Sequence, residues 1–197
     1  MRQTTAAGVA FVDQATTDVG GLHTRYQITN ATYRYWDSTQ AVTVKKNAVI
    51  QTSGFTIEHL SGFVVFDAPL LGTDVVLVSG TALTVAEVAG MFGWKLDPNL
   101  DLEDTTSFAD NGWKSFTPTL NGFTGSAEAY WVNGDHQALL AAGADVIFLL
   151  YVDDGASKRR YEAFGQIKKI GTELPVKGVV KENVEFEGTG QLFYREG

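Results

Sequence analysis

Residues Asn111 to Val132 read NGWKSFTPTLNGFTGSAEAYWV. A lead rich in Gly, Pro, Asn and Thr runs into alternating small and large residues, the period-two pattern of a strand whose two faces differ. The stretch carries none of the groups an active site needs. The closing segment Asn183 to Glu196, NVEFEGTGQLFYRE, repeats the theme. Val184 to Glu187 and Gln191 to Arg195 read as strands around Gly188-Thr189-Gly190, and Glu185 and Glu187 share one strand face.

Working outward, Ala144 to Val152 is apolar on both faces and predicts a central strand covered on both sides. Asp153-Asp154-Gly155 then turns the chain into Lys158 to Ile170, a hairpin. Before it, Asp135 as N-cap, HQALLAA and a stop at Gly143 predict a short helix. A second helix is expected from the capping-box spacing of Thr84-Val85-Ala86-Glu87, with Val85, Val88, Ala89 and Phe92 as its apolar stripe. Between the helices, Leu96 to Gly112 (LDPNLDLEDTTSFADNG) is acidic and aperiodic, and reads as a long surface loop.

The first eighty residues read as a β meander. TRYQITNATYRY (24–35) suggests two aromatic-rich strands, Ala41 to Lys45 alternates, Lys46-Asn47-Ala48 turns, and Phe55 to Ile57, Gly62 to Phe66 and Asp74 to Ser79 continue the series. The expected fold class is mainly β: a β-sandwich with one or two short flanking α-helices and long loops. A single domain, 1–197, is expected, with 1–83 as the meander and 84–197 holding helix, loop and core strands.

Composition narrows function. The chain has 197 residues, 44% hydrophobic and 19% charged, fewer charges than the usual share of about 25%. A net charge of −8 argues against holding nucleic acid by phosphate neutralisation. Without cysteine there is no disulfide, thiol nucleophile or cysteine-based metal site. MRQTTAAGVAFVDQ makes a poor signal peptide, and Val146 to Val152 falls short of the ~20 apolar residues that cross a bilayer. The chain therefore reads as made in the cytosol and not inserted in a membrane.

A search for chemistry returns little. His23, His59 and His136 lack ligand spacing. Asp97-x-Asn99-x-Asp101-x-Glu103 has the alternating oxygens of a calcium loop, but Leu102 stands where glycine belongs and Phe108 where the bidentate acid belongs. There is no G-x-S-x-G elbow, and Gly188-Thr189-Gly190 lacks the third glycine of a dinucleotide fingerprint. The basic clusters Lys45-Lys46, Lys158-Arg159-Arg160 and Lys168-Lys169 flank turns or strand ends and read as solvated edges or subunit salt bridges. No catalytic residue, cofactor or metal is expected.

Asn111 to Val132, with its lead-in Pro118-Thr119-Leu120-Asn121-Gly122-Phe123-Thr124-Gly125-Ser126, together with Tyr33 to Gly80 and Asn183 to Glu196, resembles the major tail (tail tube) proteins of long-tailed bacteriophages. The resemblance implies a β-sandwich flanked by a helix, joined with copies of itself into six-fold rings that stack as a hollow tube. It also implies inner sheets forming one barrel, long loops bridging to the next ring, DNA as passing cargo and a place in the virion tail. The expected partners are further copies and other tail proteins such as the tape measure and terminator. An acidic channel wall would repel phosphates, and Glu128, Glu162, Glu185 and Glu187 are its candidates. Asp97, Asp101, Glu103 and Asp104, in the acidic loop, are candidates for contact between rings. Competing readings are a head-to-tail connector, a decoration protein, and a carbohydrate-binding sandwich stacking sugars on Trp36, Trp94, Trp113 or Trp131.

Overall fold

The computed structural model describes residues 2–87, 91–107, 113–131, 134–153, 158–174 and 178–196. The chain is mainly β, as its alternating patterns predict, with two curled sheets and, among the described residues, a single short α-helix. It packs as two compact units, Thr4–Ala86 and Met1–Gln3 with Glu87–Gly197.

The Thr4–Ala86 unit is built on β1 (Arg2–Asp18), β2 (Arg25–Ile28), β3 (Thr43–Lys46), β4 (Val49–Gln51), β5 (Phe55–Glu58), β6 (Phe63–Phe66) and β7 (Val76–Glu87). Strands run in the order β4-β3-β7-β1, and the far end of β1 joins a second run through β2 and β6 to β5. Phe11, Ile28, Trp36, Val44, Val64 and Val78 are buried in its core. Trp36 is fully enclosed, with the Phe11 ring 5.8 Å away. Gly62 turns beneath it at φ 63°, and a Cβ there would crowd Ile28 and the Trp36 ring.

The second unit contains β8 (Met91–Asp104), β9 (Phe116–Tyr130), α1 (Asp135–Ala142), β10 (Asp145–Tyr151), β11 (Arg160–Glu173), β12 (Lys181–Gly188) and β13 (Phe193–Arg195). Its strand order is β10-β11-β12-β9-β8, with β13 also on β11, and Arg2 and Gln3 of β1 pair with Ile147 and Val146. The pairs are antiparallel. Trp94 on β8 donates its indole N–H to the Tyr151 carbonyl on β10 at 3.0 Å, so the two ends of the order meet and the sheet is curled.

One face of that sheet is apolar: Val146, Phe148, Leu150, Ala163, Ile167, Val184, Phe186, Ala127 and Phe123 pack with Leu139 of α1. Small residues in GFTGSAEA make room for rings. The Phe186 ring lies over Gly125 and the Phe123 ring over Gly188, so β9 and β12 each offer the other a phenylalanine and a bare backbone position. A side chain at either glycine would overpack the contact, at roughly 1–3 kcal/mol.

Several expectations need correction. The helix expected from Thr84 is absent: residues 84–87 finish β7, while Val88 and Ala89 lie outside the described residues and Phe92 belongs to β8. Thr84 and Val85 are β-branched, and a two-turn helix gains too little to outcompete pairing. The expected loop is mostly strand, since Leu96 to Asp104 completes β8 and pairs along β9; residues 108–112 lie outside the described residues. The first unit is not a meander, because β2 pairs β1 and β6 while β3 pairs β4 and β7. Ala31–Tyr33 is a 3-10 turn capped by the Asn30 side chain, not a strand. The helix at Asp135 forms with Gly134 as its N-cap and Gly143, left-handed at φ 56°, as its C-cap.

Candidate assembly surface

The face of the second sheet opposite its core is polar. Side chains repeat every second residue along a strand, so Lys181, Asn183, Glu185 and Glu187 of β12 project together, flanked in register by Tyr130, Glu128, Ser126 and Thr124 of β9. Lys95 and Asp97 of β8 continue the layer opposite Ser126 and Thr124. A groove of about 770 Å³ crosses these strands, with Lys95, Glu128, Lys169, Asn183 and Glu185 among its walls.

The candidate wall glutamates divide. Glu128 and Glu187 are exposed and Glu185 half-buried on this shared face. Glu162 is fully enclosed, bonded by Arg160 Nε at 2.6 Å and Arg195 Nε at 3.4 Å. It is therefore removed from the exposed layer, because a carboxylate held by guanidinium groups inside the subunit is not presented to any cargo.

Two of the remaining acids are neutralised. Lys169 Nζ lies 3.1 Å from Glu185 and Lys168 Nζ 2.9 Å from Glu187. Consecutive residues of a regular strand point to opposite faces, yet both lysines serve one face, because the register between β11 and β12 shifts between Ile167 and Lys169. The bulge makes Lys168 the extra residue. Hydrogen bonding to Glu187 holds the Lys168 ammonium above the ordinary lysine range. The layer is thus charge-balanced along its β11–β12 seam, with Glu128 the acid outside those pairs. No sequence spacing announces this, since a bulge is a pairing event.

Asp97, Asp101, Glu103 and Asp104 all sit on β8, exposed. An extended strand sets alternate residues nearly 7 Å apart, so Asp97, Asn99, Asp101 and Glu103 do not wrap a cation. Among the described residues no group of three or more His, Cys, Asp or Glu is arranged to hold a metal ion, and no helix is long and apolar enough to cross a membrane. The Thr106 hydroxyl and backbone N–H, both directed at Asp104, hold its carboxyl below the usual range. β8 is an edge strand, which accommodates Pro98 opposite Phe123 because proline has no N–H to give.

The outer half of the β8–β9 hairpin stands clear of the core. Every described residue from 97 to 107 and from 116 to 121 is exposed, including Leu100, Leu102, Phe116 and Leu120. Of the tryptophans, Trp36 is fully buried while Trp113 is 80% exposed. His23 pairs with Asp18, and His136 with Glu182 inside the unit. His59 is half-buried, and burial pushes its imidazole below the usual range. The histidines thus serve separate places.

No protein-family model and no curated protein matches the chain. Among solved structures it is similar to a chain of "Tail of empty GTA particle computed with helical refinement, C6 symmetry". The two are 14% identical, the match covers 56% of this chain and 86% of that one, and the TM-score is 0.46.

Proposed function

We propose that this chain is a structural subunit of a phage-like tail, whose copies join into stacked six-fold rings and form a tube that conducts DNA without breaking any bond in it. The observation that carries the reading is the outer β8–β9 hairpin, whose residues on both strands are exposed. A two-stranded ribbon is marginally stable in water by itself, and its exposed Leu102, Phe116 and Leu120 form a surface that calls for a cover. The open edge of β8 is a pairing template that ring closure would occupy. The resemblance of residues 118–126 to tail tube proteins supports the same conclusion.

The layer bearing Glu128, Glu185 and Glu187 is the proposed channel wall. Its charge balance gives a duplex little to bind, since Lys168 and Lys169 already have partners. The acidic side chains Asp97, Asp101, Glu103 and Asp104 ride on the hairpin proposed to bridge rings.

Negative-stain microscopy of concentrated protein tests the proposal. Hollow rods are expected; single rings that never stack would favour a connector, and lone particles at every concentration would overturn self-assembly. The carbohydrate-binding reading loses Trp36 as a platform, because that ring is enclosed.

A further inference from the structure

Both ends of the β8–β9 pair expose apolar surface, and the ends differ in charge. At the tip, Leu102 lies opposite Pro118 and Asp104 opposite Phe116. These pairs, two residues apart, share a ribbon face, while Glu103 and Thr117 take the other. Leu102 and Phe116 are 58% and 49% exposed. Asp101, Glu103 and Asp104 have no cation within ion-pair range among the described residues.

At the root, Tyr130 lies opposite Lys181, which lies opposite Glu173. The Phe92 and Tyr130 rings pack with centroids 4.5 Å apart, tilted by 32°. Leu174 and Val179, 81% and 60% exposed, line a groove of about 490 Å³ with Glu173 and Lys181. The Lys181 ammonium stands 5.6 Å above the Phe92 ring and has no carboxylate within ion-pair range among the described residues.

We infer that the tip of the β8–β9 hairpin of one copy docks on the root groove formed by Leu174, Val179, Lys181 and the Phe92–Tyr130 ring pair of a second copy. This rests on the proposed self-assembly and adds the receiving surface. A second copy is the occupant because the acidic apolar tip and the lysine-bearing apolar groove lie at opposite ends of the same strands, so one repeated contact covers both. A contact between two different patches is heterologous and propagates from copy to copy. The Lys181 side chain would face tip carboxylates across the contact, adding orientation to apolar burial.

The absence of cysteine makes the test direct. Leu102→Cys and Val179→Cys are prepared separately, mixed under assembly conditions and oxidised. The expected result is a disulfide-linked dimer in the mixture that neither variant yields alone. Asp104→Lys with Lys181→Glu, combined on one chain, should restore assembly that Lys181→Glu weakens. A crosslink by Leu102→Cys alone would mean tip-to-tip contact and overturn the docking. Rods in the microscope without a mixed crosslink would overturn the docking and leave the tube standing. Neither rods nor crosslink would overturn both.

Discussion

His136 of α1 and Glu182 of β12 form an enclosed pair, with Nδ1 2.8 Å from Oε2 and side chains 3% and 1% exposed. Apart from Leu139, His136 is the only residue that α1 buries, so the pair fastens the helix to the sheet alongside the apolar packing of Leu139 and Leu140. His136 Nε2 is buried with no hydrogen-bond partner among the described residues. His136→Ala would leave the Glu182 carboxylate buried and uncompensated, and should lower unfolding free energy by about 3–5 kcal/mol. His136→Leu with Glu182→Leu should cost less than the two single changes summed. Urea unfolding of the three variants checks both expectations.

Glu162 offers a contrast with the surface acids. Glu162→Ala leaves two guanidinium groups facing an enclosed space, and should also destabilise by about 3–5 kcal/mol. Glu185→Gln and Glu187→Gln break exposed pairs and should each shift stability by about 1 kcal/mol or less. Thermal melts at matched salt would separate the classes, and equal losses would contradict the assignment of Glu162 to the interior.

His59 sets a pH dependence. Its folded pKa is lowered by burial, an effect the nearby Asp37 charge partly opposes. The unfolded chain therefore binds the proton more readily, and stability falls as pH drops below the unfolded value near 6.5. His59→Gln should flatten the stability profile between about pH 7 and 5, as read by denaturant midpoints across that range.

Hairpin substitutions should separate folding from assembly. Leu102→Ser and Phe116→Ser remove side chains exposed in the subunit, so the melting free energy should change by no more than about 0.5 kcal/mol. Rod formation should be lost. Deleting the tip should act likewise, and normal tubes after deletion would exclude a bridging role.

Legibility in the sequence followed burial. β9, β10 and β12 bury one face or both, and their apolar spacing reported it. The single helix was marked by its Gly143 stop. β8 reads as a loop because its outer half buries neither face, leaving no hydrophobic period. β1 is not legible as a strand, because its Ala, Gly and Asp residues dilute the β propensity of its Thr and Val. At the site, strand parity placed Glu185 and Glu187 on one face. It could not show that Arg195, 33 residues beyond Glu162, encloses that carboxylate, or that His136 meets a partner 46 residues away.

The irregularity at Lys168 gives β11 one residue more than its pairing with β12 needs. Replacing either lysine loosens one surface bond, and excising Lys168 loses its bond to Glu187 while Lys169 to Glu173 keep the partners they have on β12. Inside and outside stay as they are over that stretch, whereas an excision at Ile170, with no extra residue to absorb it, would exchange them from Gly171 onward. A single-codon deletion of Lys168 should survive in a mutant library from which deletion of Ile170 is purged.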